Sequence, residues 1–400
     1  MINITQSPYN CVGDGVTDNT AGINLALAAV ATGSKQIYAP AGNYLTQGNH
    51  LIQKDGQSIV GDGIEATIFT VTQAANCAFK ILNPNSPPDL LTDIGLKGFS
   101  IRRQGEPAAT GVGIDASNPV YRARFESLLI EGHQRGMLLG NTDYSIVRDV
   151  IVQRSRAEGV YHRNNANEGA CQYTFEHCLF QINSGHGYKF DTQSGPLSVS
   201  LGEFVNVSTY ANTGSGLQFI GTSATPIQGI RIVGGFFGED ADTELYLDTW
   251  GGYHKIVGTS IELTGSARTG HTVQPFQPTS GVDPSHAGVG IMVLSHDRDV
   301  LISGVRINNV SSDGIYMGAA LATITGCNLS NNGANNALTN DRNGVKVFAG
   351  SALVTGNTFF NYPGTSDQKY GVMVAGGAVT PSNYASLNQF SNNSVAPTSP

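Results

Sequence analysis

The chain has 400 residues, of which 13% are charged and 40% apolar, with 50 glycines, a single tryptophan and a formal net charge of −8. A helical protein of this length carries more Lys, Glu and Leu, and a net-negative chain is a poor partner for nucleic acid. High glycine with low charge does not mean disorder here, because the apolar residues recur periodically.

Residues 1–10 hold no charged segment followed by an apolar one, and no run of 18 apolar residues occurs anywhere. Neither a signal peptide nor a membrane span is expected. Gly13-Asp14-Gly15-Val16-Thr17-Asp18-Asn19-Thr20 leads into an alanine-rich segment ending at Val30. That segment reads as a short helix, with Thr17 or Asp18 able to cap its N-terminus. Its Ile23, Leu27 and Val30 make one apolar face that can plug the open end of a coil. Residues 35–44 read as a strand followed by a Pro/Gly turn, and Ser58-Ile59-Val60-Gly61-Asp62-Gly63 as another.

Gly-Asp-Gly-Val-Thr-Asp-x-Thr, the short helix, then Ile-Tyr-Ala-Pro-Ala-Gly-x-Tyr resembles the opening of the pectate-lyase-like superfamily of right-handed β-helices. Phage tailspike depolymerases, bacterial polyuronate lyases and epimerases, and related glycosidases share that opening. The resemblance is specific over residues 10–65, with Asn19 where a second acid is common and Gly22 where alanine is usual. It implies a β-helix and a carbohydrate ligand. From the tailspike members it also implies a homotrimer, on a virion tail or otherwise extracellular. It leaves the reaction open.

From residue 136 onward one phrase repeats: glycine, apolar, any residue, apolar. It starts at Gly136, Gly159, Gly187 and Gly216, lapses at Glu244, and resumes at Gly290, Gly314, Gly344 and Gly371. Neighbouring starts lie 23 to 30 residues apart, except for 46 between Glu244 and Gly290. A unit of this size marks a solenoid. Each unit carries a second strand before the phrase, such as residues 147–152, 175–180 and 324–329, and Asn/Ser/Gly turns between them. Two or three short strands leave no room for a crossover helix, so successive units stack in parallel. Parallel crossovers are right-handed, which predicts an all-β, right-handed parallel β-helix with one short N-terminal capping helix. Residues 1–65 read as the cap and first strands, and 66–400 as coils with an irregular insertion at 264–287, all in one continuous domain. Such a long loop inside a regular solenoid is more often functional than accidental.

Five cysteines, Cys11, Cys77, Cys171, Cys178 and Cys327, show no CxxC and no metal-ligand spacing. Cys178 and Cys327 fall at inward positions and read as buried thiols. Neither a metal nor another cofactor is expected.

A β-helix presents flat ladders suited to a polymer, with equivalent residues of successive coils about 4.8 Å apart. Aligning the strands that precede the phrase puts Glu131, Gln153, Gln181, Gly238 or Glu239, Glu262 and Asn308 in one outward column. Glycoside hydrolysis needs two flanking carboxylates, and like charges so close raise one pKa. Glu239, Asp240, Asp242, Glu244 and Asp248 form the densest acidic stretch of a charge-poor chain, followed by Trp250, Tyr253 and His254. Glu239, Asp242 and Glu262, with Asp240 as substitute, are therefore the catalytic candidates, against a bland reading as a solvated acidic turn or trimer contact. Trp250, Tyr253 and His254 are candidate sugar-binding residues, since aromatic faces suit sugar rings. Outward positions of the glycine-phrase strands add Tyr161, Arg163, Lys189, Asp191, Tyr246 and Asp248, while His162 points inward. Three readings stand: a polysaccharide hydrolase using paired carboxylates, a lyase or epimerase of uronic acids, and a glycan-binding spike without catalysis.

Overall fold

The computed structural model describes the chain except residues 31–35, 83–89, 106–109, 164–171, 193–198, 201, 263–287, 334–341, 363–367, 376–377, 379–385, 393–395 and 399–400. The insertion expected at 264–287 and Cys171 therefore lie outside the described residues. What is described is a right-handed parallel β-helix with one α-helix, in two compact units, Met1–Ser184 and Gly185–Pro400. Among the described residues no helix is long and apolar enough to cross a membrane.

In the first unit, Gly95–Arg103, Arg124–Glu131 and Ser145–Gln153 pair in parallel, with Ile101, Ile130 and Val152 in one register column. Each strand turns a corner at a left-handed residue, Gly98, Ser127 and Asp149, at φ 74°, 51° and 53°. The phrase strands Val112–Ala116, Arg135–Leu139 and Val160–Arg163 form a second face, with Asp115, Leu138 and Tyr161 in column. In the second unit the phrase strands Tyr188–Asp191, Leu217–Ile220, Leu245–Asp248, Ile291–Val293, Ile315–Met317, Asn343–Val347 and Tyr370–Val374 form one face, all parallel.

Alternation along each short strand sends one set of side chains into the coil. Phe69, Phe99 and Phe125 fill the first unit, and Phe190, Phe204, Phe219 and Phe237 the second. Each such burial is worth about 1.5–3 kcal/mol. Cys178 and Cys327 are buried as expected, as is His162. The repeat glycine has a steric cause. A Cβ at Gly136 would run into Val152 Cγ1 and sit 2.9 Å from the Gly159 carbonyl oxygen, because the inward residue of the neighbouring strand already fills that space.

The helix Thr20–Ala29 buries Ile23, Ala26 and Leu27. It packs on His50–Ile52, the end strand of its stack. Asn24 Oδ1 lies 2.7 Å from His50 Nδ1, and Gln57 Nε2 donates to the Leu27 carbonyl at 3.0 Å. Asp18 Oδ1 accepts the Thr20 N–H at 2.9 Å, while Asn19 at the cap position makes no side-chain cap bond. The two departures from the family opening have local reasons. Asn19 is buried and spans to Val12, accepting its N–H at 2.6 Å and donating to its carbonyl at 3.0 Å. A Cβ at Gly22 would collide with the Tyr9 carbonyl oxygen and lie 2.7 Å from Cys11 Sγ.

Candidate functional site

On the phrase face of the second unit, Tyr188, Phe190, Leu217, Phe219, Leu245 and Leu247 point inward and are buried. Lys189 and Asp191, Gln218 and Ile220, and Tyr246 and Asp248 therefore point away from the coil interior on three successive strands, with Asp191, Gln218 and Tyr246 still only 8%, 2% and 8% exposed. The register places Asp191, Ile220 and Asp248 in one column. Rungs of a parallel sheet lie about 4.8 Å apart, so the two aspartates stand roughly 10 Å apart along it. Lys189 Nζ is 3.7 Å from Asp191 Oδ2.

Immediately after Asp248 the chain is pinned to the next coil. Thr249 N donates to Asp297 Oδ1 at 2.9 Å, and the Thr249 hydroxyl donates to the same oxygen. Ile230 N donates to His254 Nδ1 at 3.3 Å, so the ring proton of the neutral imidazole sits on Nε2, 2.7 Å from Thr249 Oγ1. Burial pushes His254 down to about 4 and Asp297 up to about 6. At neutral pH a neutral His254 thus donates to Thr249, which donates to a carboxylate. Thr249, His254 and Asp297 are all fully buried.

That interior chain holds the residues on either side of it against each other at the surface. His296 Nδ1 lies 3.2 Å from Asp248 Oδ1. The Trp250 ring stacks on His296, with centroids 3.6 Å apart and planes 7° from parallel. Trp250 is 39% exposed and Tyr253, beyond it, 63%. An aspartate, an imidazole and an indole face so grouped can hold a sugar ring and exchange a proton with it.

The acidic stretch upstream is not this site. Asp240 is fully buried, accepting Thr209 Oγ1 at 2.6 Å, Asn212 N at 2.7 Å and Asn212 Nδ2 at 2.8 Å. It occupies the corner position that Asn212 holds one coil earlier. Asp242 is also buried, accepting the Ser215 hydroxyl at 3.1 Å. Burial raises the pKa of both, Asp242 to about 6. Neither can touch a polymer on the outside of the coil, which corrects their assignment as catalytic groups and the solvated-turn reading alike. Glu244 is buried too, where the other coils have glycine. Glu239 is half-buried at the left-handed corner, φ 59°, and Gly238, not Glu239, shares the column with Glu262 and Asn308. Glu262 stands 3.8 Å from Arg306.

The remaining candidates divide. His254 is interior, and the Tyr246 ring packs with Val289, Met292 and Tyr316. Lys189, Asp191, Asp248 and Trp250 share one face of the second unit. Tyr161 and Arg163 lie on the first unit, where the Arg135 guanidinium sits 4.9 Å from the Tyr161 ring centre and Arg163 is exposed. His296 and Asp297 escaped the sequence reading. Their signal was the repeat itself: Trp250 and His296 each stand six residues after the start of their phrase.

A family model described as rhamnogalacturonase A/epimerase, pectate lyase-like matches residues 1–235, and one for a right handed beta helix region matches residues 277–397. Among solved structures, the Azotobacter vinelandii mannuronan C-5 epimerase AlgE4 A-module is similar at TM-score 0.64 and 17% identity, over 100% of this chain and 98% of that one. The pre-mature bacteriophage phi29 gene product 12 is similar at TM-score 0.57 and 13% identity, over 95% of this chain and 55% of that one. A GH87 alpha-1,3-glucanase catalytic domain in complex with nigerose follows at 0.52 and 13%, over 91% and 64%. At these identities the likeness is one of fold. No curated protein matches the sequence.

Proposed function

Because this chain belongs to the rhamnogalacturonase A/epimerase, pectate lyase-like family, we propose that it is a polysaccharide-active enzyme, a glycoside hydrolase acting through paired carboxylates on the phrase face of its second unit. The observation that carries this reading is the column Asp191, Ile220, Asp248, with the Trp250–His296 stack at its edge. Two carboxyl groups about 6.5–9.5 Å apart leave room for a water between them and the sugar, the arrangement of inverting hydrolysis. A two-rung backbone separation of roughly 10 Å lies just above that range. One carboxyl protonates the leaving oxygen, and the other activates the water. Trp250 supplies the ring platform, and the interior chain from His254 through Thr249 to Asp297 fixes where Asp248 and His296 stand.

A second reading has its own observation. Lys189 and the exposed His296 share this face, a cation for a uronate carboxylate and an imidazole base for the proton beside it, as β-elimination or C5 epimerisation requires. Incubation with a panel of capsular, O-antigen and plant polysaccharides separates the two. New reducing ends without an unsaturated chromophore, lost in Asp248→Asn, support the hydrolase. A chromophore, or an inverted C5 centre by NMR without cleavage, moves the protein to the second reading, and binding without any product leaves a glycan-binding spike.

A trimer on a virion tail belongs to the same proposal, supported by the likeness to viral proteins. Light scattering on the purified protein tests it against the 42.0 kDa of one chain.

A further inference from the structure

Among the described residues of the first unit there is a buried cation that no carboxylate answers. Arg103 ends the strand Gly95–Arg103, opposite Val71 in register, with its side chain turned inward and 8% exposed. Its neighbour Arg102 points out and pairs with Glu65 at 3.0 Å and Glu131 at 3.7 Å. Both terminal nitrogens of Arg103 are buried without a hydrogen-bond partner among the described residues. On the next coil the position beside it is Gly132, where a Cβ would sit 3.3 Å from Arg103 Cβ. His133 follows, fully buried, with neither ring nitrogen partnered among the described residues. One coil further on, Ser155 is 1% exposed; its N–H goes to Asn183 Oδ1 at 3.0 Å, but its hydroxyl has no partner among the described residues. The Arg156 N–H on the His133 carbonyl, 2.9 Å, sets these two coils in register.

A lone buried guanidinium is among the costliest arrangements a protein can hold, and native structures answer such groups with a counter-charge. We propose that Arg103, His133 and Ser155 form an internal binding site for one small monovalent anion, of the size of a halide or formate. Arg103 supplies one full positive charge, His133 one N–H and Ser155 one O–H. Burial, reinforced by the Arg103 charge, holds His133 down to about 3, so the ring is neutral and donates from one nitrogen only. One positive charge with two neutral donors balances a monoanion. A dianion would leave a charge uncompensated inside the coil, and a cation is repelled.

Bromide is the probe. At constant ionic strength and pH, replacing sodium gluconate by sodium bromide is expected to raise the melting temperature saturably by about 3 °C or more. Arg103→Met is expected to abolish the dependence. Crystals grown in bromide should show an anomalous peak against the Arg103 guanidinium, and that result decides the matter alone should the variant not fold. A melting temperature indifferent to bromide, with no peak at Arg103, overturns the site.

Discussion

The Trp250 indole lies flat on the His296 imidazole, 3.6 Å between ring centres, across two successive coils. Trp250 is the only tryptophan, so its fluorescence reports this contact alone. His296→Ala should raise the emission and Trp250→Ala abolish it, with far-UV circular dichroism unchanged. An aromatic platform contributes about 1 kcal/mol to a sugar contact, so Trp250→Ala should raise KM roughly fivefold while kcat changes little. Equal loss in both constants would remove Trp250 from substrate binding.

Asp191→Asn and Asp248→Asn each replace a carboxyl by an isosteric amide. If the pair works as acid and base, each substitution should lower kcat by about 10²–10⁴-fold with KM nearly kept. The double variant should lose little beyond the worse single one, since the two act as a unit. Glu262→Gln, next to Arg306 and outside this column, serves as the comparison and should keep its activity.

Asp242 gives a stability signature with a definite sign. Its folded pKa is raised from 3.8 to about 6 by burial. Between those values the folded chain holds a proton that the unfolded chain has released, so stability falls as pH rises through that window and levels off above it. The shift corresponds to about 3 kcal/mol by pH 7. Asp242→Asn should remove this part of the slope and be more stable than wild type at pH 7.5, though not at pH 3.5. Urea midpoints of the two proteins at pH 3.5, 5, 6 and 7.5 check it. Taking the difference cancels the opposite slope from carboxylates held low, such as Asp14, down at about 2 through hydrogen bonds from Thr17 and Val16.

Two glycines should respond oppositely to a side chain. Gly136→Ala forces a methyl into Val152 and should cost about 1–3 kcal/mol in urea denaturation. At Gly258, φ 66°, a Cβ would meet nothing within 4 Å. Asn206 already holds the equivalent corner at φ 51°, so Gly258→Asn should change stability by less than about 1 kcal/mol.

The coil architecture was legible because its cause is local: a glycine wherever a strand must start against a filled interior. The same rule made Glu244 conspicuous, and the structure finds its carboxyl buried where a hydrogen atom stands in other coils. The acidic stretch was misread because alternation holds only along a strand. At Glu239 the backbone passes through the left-handed region, and the residue after it, Asp240, turns into the interior. No count of odd and even positions survives such a corner. His296 stayed hidden for a different reason: 46 residues separate the two phrases whose ends bring it onto Trp250. A pairing set by stacking is visible only after the insertion between the phrases has been removed.

A stack of parallel strands has no internal reason to stop, since the last strand offers the same unpaired amides and carbonyls as every strand before it. The helix Thr20–Ala29 lies against the end strand His50–Ile52, and Lys54 and Gln57 reach across to its carbonyls at Val30 and Leu27. It is thus a terminator as well as a plug, a backbone that satisfies its own hydrogen bonds and gives an incoming strand nothing to copy. Shortened from that side, the chain would carry an open growth point, an edge strand with unpaired amides and carbonyls.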